Sequence, residues 1–126
     1  KPVKWSYAAK KTSKTEATLY FKATIDEGWH IYSQNMADGG PVKTSFTFAP
    51  SKAYKPVGKT TEPKAIVKFE KSFDMNVSYF EKTAVFQQKV KLTGANAIVK
   101  GTLEYMVCDD AQCLPPETVD FSISVK

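Results

Sequence analysis

Long stretches of this chain alternate polar and apolar side chains, and none keeps an apolar period of 3.6 residues for three turns. Successive side chains of a strand point to opposite faces, so a period of two marks a strand with one face buried. The run EATLYFKATI, residues 16–25, sets Ala17, Leu19, Phe21, Ala23 and Ile25 on one side against mostly polar neighbours. Three more runs behave alike: TAVFQQKVKL through Ala84, Phe86, Val90 and Leu92, AIVKGTLEYMV through Val99, Leu103, Tyr105 and Val107, and TVDFSISVK through Val119, Phe121, Ile123 and Val125. Shorter candidates are VKWSY, WHIYSQ, TSFTF and KAIVKF. Turn-forming residues separate them, in DEG at 26–28, DGGP at 38–41, TGANA at 93–97 and CLPP at 113–116. About seven to nine short strands, without helices to cover a parallel sheet, predict an all-β chain folded as an immunoglobulin-like antiparallel β-sandwich.

The 126 residues fit one domain spanning 1–126, with no internal repeat or linker. A chain of this length removes roughly two thirds of its unfolded surface from water without metals or many disulfides. With 25% charged residues and no apolar run near the ~20 residues of a membrane span, it reads as a soluble globular domain that does not itself cross a bilayer. It opens KPVKWSYAAKK, without an initiator Met or an apolar signal segment, which suggests a processed protein or an excised domain. The net charge of +5 rests entirely on Lys spread along the chain, with no Arg. Without the guanidinium fork that grips phosphate and guanine, and without a basic cluster, nucleic acid is not an expected partner.

Both cysteines, Cys108 and Cys113, fall in EYMVCDDAQCLPPETVDFSISV. Structural zinc needs four ligands, and the only histidine, His30, lies far upstream, so no metal site is expected. The spacing is neither C-x-x-C within a βαβ pattern nor C-x-x-C-H, which leaves a disulfide without a bound cofactor. That disulfide is either structural or redox-active. It would span the mouth of a strand-to-strand loop, where the Cα separation it needs is attainable. As a staple it is weak, worth about 2 kcal/mol for a loop of about six residues against about 4 for one closing about sixty. Asp109 and Asp110 inside the loop, with Glu104 and Glu117 flanking it, disfavour a thiolate. A redox-active pair here is therefore a guarded electron carrier that waits for a partner's thiolate.

Other candidates carry less. His30, between Trp29 and Ile31, reads as an ordinary strand residue rather than a catalyst. NVS at 76–78 fits a glycosylation sequon by chance.

Together, MVCDDAQCLPPETVDFSI and the upstream DEGWHIYSQNM resemble the N-terminal periplasmic domain of the thiol:disulfide interchange protein DsbD, in its Bacteroidetes-type form, from about Trp5 to the chain end. The specific features are a Gly-aromatic-x-x-Tyr segment, here Gly28, Trp29 and Tyr32, and a cysteine pair followed by Pro115 to Thr118. The resemblance implies an extracytoplasmic, periplasmic sandwich that forms part of a protein-disulfide reductase and is expected to be monomeric. In that family a membrane-embedded redox domain supplies electrons, and the pair passes them to thioredoxin-like periplasmic proteins. Cys108 and Cys113 match the two active-site cysteines, although one residue fewer separates them than in the best-studied enteric branch. The resemblance also implies that Cys113 exchanges with partners while Cys108 resolves the mixed disulfide.

Family members cover the cysteines with an aromatic from a loop, which here falls in FEKSFDMNVSYF at 69–80. Phe73 is the expected cap, with Glu70 beside it and Tyr32 and Trp29 flanking the site. A second reading makes Phe69, Phe73, Met75, Val77 and Tyr79 one face of a strand. The competing function is a non-catalytic sandwich for adhesion, ligand binding or assembly, stapled by a structural hairpin disulfide.

Overall fold

A computed structural model describes residues 1–126 as eleven strands in three antiparallel sheets, with no helix. In the first sheet, β2 (Glu16–Ile25) and β8 (Thr83–Leu92) pair from Glu16 opposite Lys91 to Thr24 opposite Thr83, flanked by β1 (Val3–Lys11) and β5 (Tyr54–Thr61). A second sheet orders β11 (Glu117–Val125), β9 (Ala97–Tyr105) and β4 (Ser45–Phe48). The third orders β10 (Val107–Cys108), β3 (His30–Tyr32), β7 (Met75–Phe80) and β6 (Ile66–Glu70). This is the all-strand antiparallel sandwich that the alternation predicts.

The inward-facing residues of the four long runs close on one core of 21 buried side chains. Phe21 lies at its centre, with ring centroids 4.8 Å from Phe46 and 4.9 Å from Phe121, so aromatics of the first and second sheets meet across the interior. Such tilted and edge-on contacts add about 0.5–1.5 kcal/mol per pair beyond the area they bury. Gly101 takes an inward position on β9 because a Cβ there would collide with the Thr47 carbonyl oxygen and the Phe121 ring.

Eleven strands exceed the seven to nine expected, and each addition has a cause. The segment YKPVGKTT, which contains Pro56 and Gly58, forms the edge strand β5, whose register shifts between Val57 and Thr61. The shift is bridged from β8 by Gln88, a polar residue on that strand's buried face. Its Nε2 donates to the carbonyls of Val57 (3.1 Å), Gly58 (3.3 Å) and Lys89 (2.9 Å), and its Oε1 accepts from Thr60 Oγ1 at 2.7 Å. AIVKGTLEYMV, expected as one strand, breaks at Met106: residues 97–105 pair with β11, and Val107 and Cys108 cross to β3. The stretch 69–80 is neither one loop nor one strand, since β6 and β7 form a hairpin through it.

The disulfide joins Cys108, at the end of a strand held by its ladder and by buried neighbours, to Cys113 in the loop that follows, so no core element depends on it. Reduction should therefore leave the fold intact and cost no more than about 2 kcal/mol, as expected for so short a loop. Thermal melts with and without a thiol reductant test this, and global unfolding on reduction would contradict it.

Candidate functional site

The chain changes sheets at Met106, since residues 97–105 pair with β11 and the two residues after it pair with β3. Val107 and Cys108 join β3 with Cys108 opposite His30. Cys108 is 1% exposed, packed in a small cluster with Tyr32, Val77 and Met106 that is separate from the main core. Cys113 is bonded to it, with the Cα atoms 4.0 Å apart, but is itself exposed to solvent. The two sulfurs thus have opposite access.

Asp109 folds the loop between them. Its Oδ1 accepts from the amides of Ala111 (2.8 Å) and Gln112 (2.7 Å), and its own N–H donates to the Gln112 carbonyl at 2.8 Å. An aspartate closing its own turn in this way replaces the ladder that the loop lacks. The Leu114 N–H then donates to the Val107 carbonyl at 3.0 Å, tying down the far side of Cys113. Beyond Pro116, Glu117 accepts from Tyr105 Oη at 2.8 Å and pairs with Lys1 at 2.5 Å, and these two donors hold its carboxyl below the usual range. Asp110 stays exposed at the loop tip.

An open cavity of about 480 Å³ lies over the pair, and His30, Tyr32, Glu70 and Phe73 line it together with both cysteines. Phe73 sits in the four-residue turn between β6 and β7, its N–H donating to the Glu70 carbonyl at 3.2 Å. The turn closes through Asp74 at φ 51, a left-handed conformation that Asp tolerates better than most residues. Phe73 is partly buried against the Cys108 cluster, whereas Phe69 is 52% exposed, so the odd-numbered stripe does not continue through the turn as one buried face. Trp29 is not brought here. It packs on the main core and lines a different cavity with Asp26 and Lys82.

Tyr32 and His30 form a polar pair inside the cavity. His30 Nε2 and Tyr32 Oη are 3.0 Å apart, and the His30 ring also lies 5.0 Å from that of Tyr79. Burial, with smaller contributions from Glu70 and Tyr79, pushes the Tyr32 hydroxyl up to about 12, so it stays protonated. Burial also lowers the His30 imidazole, against the opposing pull of Asp110, Glu70 and Glu81. Reading His30 as an ordinary strand residue missed its place beside the sulfurs. The signal available was its spacing from Tyr32: residues two apart on a strand share a face.

The chain matches the family model described as thiol:disulfide interchange protein DsbD, N-terminal, over residues 2–124. The chain belongs to that family. Among solved structures it resembles the reduced N-terminal domain of Neisseria meningitidis DsbD, with TM-score 0.58 and 19% identity over 94% of this chain and 84% of that one. It also resembles the N-terminal periplasmic domain of ScsB from Proteus mirabilis, with TM-score 0.64 and 19% identity over 94% of this chain but only 44% of that one. A third is the complex between the DsbD and PilB N-terminal domains of Neisseria meningitidis, with TM-score 0.56 and 17% identity over 92% of this chain and 80% of that one. No curated protein matches the chain in sequence. Membership of an interchange family and a disulfide with one solvent-exposed sulfur together support thiol–disulfide exchange as the chemistry of this domain.

Burial holds the imidazole below its ordinary 6.5, so as pH falls the unfolded chain binds the proton before the folded one. Stability from keeping His30 neutral is complete above that value and is lost as pH drops from it toward the folded pKa. Urea titrations at about pH 7.5 and about pH 5 should show a smaller loss of stability on acidification for His30→Gln than for the native chain. An equal loss would mean that burial of the imidazole has no such effect.

Proposed function

We propose that this chain is a periplasmic electron-transfer module that takes electrons from a membrane-embedded partner domain and hands them to thioredoxin-like proteins through Cys108 and Cys113, without a bound cofactor. The observation that carries the reading is the asymmetry of the pair: Cys113 faces solvent, while Cys108 is 1% exposed and packed against Tyr32. Exchange requires a thiolate to approach one sulfur in line with the S–S bond, and the exposure of Cys113 supports its assignment as the sulfur approached. The ScsB neighbour is a periplasmic domain, and another solved neighbour joins a DsbD N-terminal domain to a second protein's domain.

In the accepting direction, a partner thiolate bonds to Cys113 Sγ and the Cys108–Cys113 bond breaks, leaving its electron pair on Cys108. The partner's second thiolate then attacks its own sulfur in the mixed disulfide, and Cys113 is released. Two electrons have been gained, and the thiolates left on Cys108 and Cys113 take up protons from solvent. Delivery runs in reverse, with Cys113 attacking a partner disulfide and Cys108 resolving it. Phe73 in the β6–β7 turn, with Glu70 at the end of β6, serves as the cap that a partner displaces, and Tyr32 packs against Cys108.

Incubating Cys108→Ser and Cys113→Ser with a thioredoxin-like protein should trap a persistent mixed disulfide chiefly with Cys108→Ser, which retains the exposed sulfur but lacks the resolving one. Trapping through Cys113→Ser would reverse the roles. The native pair should equilibrate with a glutathione buffer within minutes while the fold persists. A structural staple would resist reduction.

Phe73→Ala separates capping from packing. Because the ring is only partly buried and sits on a turn, its loss should cost about 1 kcal/mol rather than the 3–5 of a fully buried Phe. The reduced cysteines should at the same time react faster with a small alkylating reagent. A large loss of stability with no native-state gain in alkylation rate would make Phe73 a packing residue.

A further inference from the structure

Resting on the assignment of Cys113 as the exchanging sulfur and Cys108 as the resolving one, we infer that His30 is the proton acceptor for Cys108 when that thiol closes the disulfide. Cys108 needs one. It is buried among Tyr32, Val77 and Met106, and the carboxylates of Asp109, Asp110 and Glu70 line the same cavity. Burial and nearby negative charge both hold a thiol in its protonated, unreactive form. Lys68, from β6, is the one cation that lines this cavity, against those three carboxylates.

His30 is placed to remove the proton. It is the direct cross-strand partner of Cys108 in the β3–β10 pair, and the two side chains line one cavity. Residues opposite one another on adjacent strands have Cβ atoms about 4.5–5.5 Å apart, a span that an imidazole bridges directly or through one water. The ring is held in place by the 3.0 Å contact between Nε2 and Tyr32 Oη and by packing on Tyr79. The charged groups acting on it are Asp110 from the cysteine loop, Lys68 and Glu70 from β6, and Glu81 just beyond β7, besides the Tyr32 and Tyr79 hydroxyls. Burial outweighs the acidic neighbours, so the neutral, proton-accepting imidazole predominates near pH 7.

The step balances. From the mixed disulfide, Cys108–SH gives its proton to the imidazole as its sulfur bonds to Cys113 Sγ, the Cys113–partner bond breaks, and the partner leaves as a thiolate. The products are the intramolecular disulfide, the partner thiolate and an imidazolium, which returns the proton to solvent or to the departing sulfur. Two electrons have moved from the Cys108–Cys113 pair to the partner.

The test uses the reduced domain and excess oxidised glutathione, with acid quench and mass analysis following the glutathione adduct. In the native chain the resolution rate should rise with pH through the His30 titration and then level off. That titration can be read by NMR without ambiguity, since His30 is the sole histidine. In His30→Gln the adduct should accumulate, resolving about a hundredfold or more slowly near neutrality, the low end for general base catalysis. Its rate should climb steadily toward the thiol pKa without the early plateau. An unchanged pH profile in His30→Gln, or one slowed by the same factor at every pH, overturns the inference. Should His30→Gln not fold, a native inflection that disagrees with the NMR titration overturns it on its own. Glutathione mapped to Cys108 rather than Cys113 would instead overturn the sulfur assignment beneath it, an outcome read from the adduct's position and not from its rate.

Discussion

The two-residue ladder between β10 and β3 is the contact on which the site depends. Without it, the end of the β9 strand would continue beside β11, and Cys108 would lie in the second sheet, away from every aromatic of the third. The crossing at Met106 is inexpensive because the sulfur-containing side chain is flexible enough to fill the corner between sheets. It is secured by core residues at both ends: Tyr105 and Val107 belong to the main core, while Met106 and Cys108 belong to the smaller cluster on the other face of the third sheet. One strand thus contributes to two apolar clusters in alternate residues. The buried sulfur stays fixed while the exposed one, five residues on, rides on a loop.

How much of this could be read in the chain varies with how directly each feature is encoded in side-chain period. The runs that became β2, β8, β9 and β11 were legible almost to the residue, because a strand between a wet and a dry face must alternate. β5 was not, since Pro56 and Gly58 are depleted from strands and its pairing survives only at a sheet edge with a register shift. The compensating group, Gln88, sits on the neighbouring strand and looks like a polar interruption until the bulge it bridges is known. The hairpin through Phe73 was obscured by a different cause: its turn is closed by a left-handed aspartate rather than by a glycine. The cysteine pair was legible from spacing, and its family from the flanking motifs. The gathering of Tyr32, Glu70 and Phe73 was legible only through the family resemblance, and the place of His30 among them was not, because those residues come from two strands and a turn joined only by tertiary pairing. Trp29 shows the converse. It shares a motif with Tyr32 yet packs elsewhere, since one residue's shift along the chain near β3 reverses the face.

The electrostatics of the site point toward restraint. Near the pair the loop itself supplies carboxylates and no cation, so the disulfide gains little from a partner-free thiolate. Asp109 spends its charge on two backbone amides of its own turn, which orders the loop while lessening its effect on the sulfurs. A loop built this way needs no metal or helix to hold its shape.

That self-sufficiency bears on what happens when the S–S bond opens. The Asp109 turn and the Leu114–Val107 hydrogen bond do not depend on the sulfurs being joined, and Cys108 is held by β3 and by Tyr32 whichever redox state it occupies. The difference in access between the two cysteines is therefore a property of the backbone and not of the bond. Under the proposed function, a domain that both accepts and delivers electrons would meet every partner through the same sulfur for that reason. In that proposal the proton of Cys108 is handled at one place in both directions, and the residue opposite it in the ladder is the single imidazole of the chain.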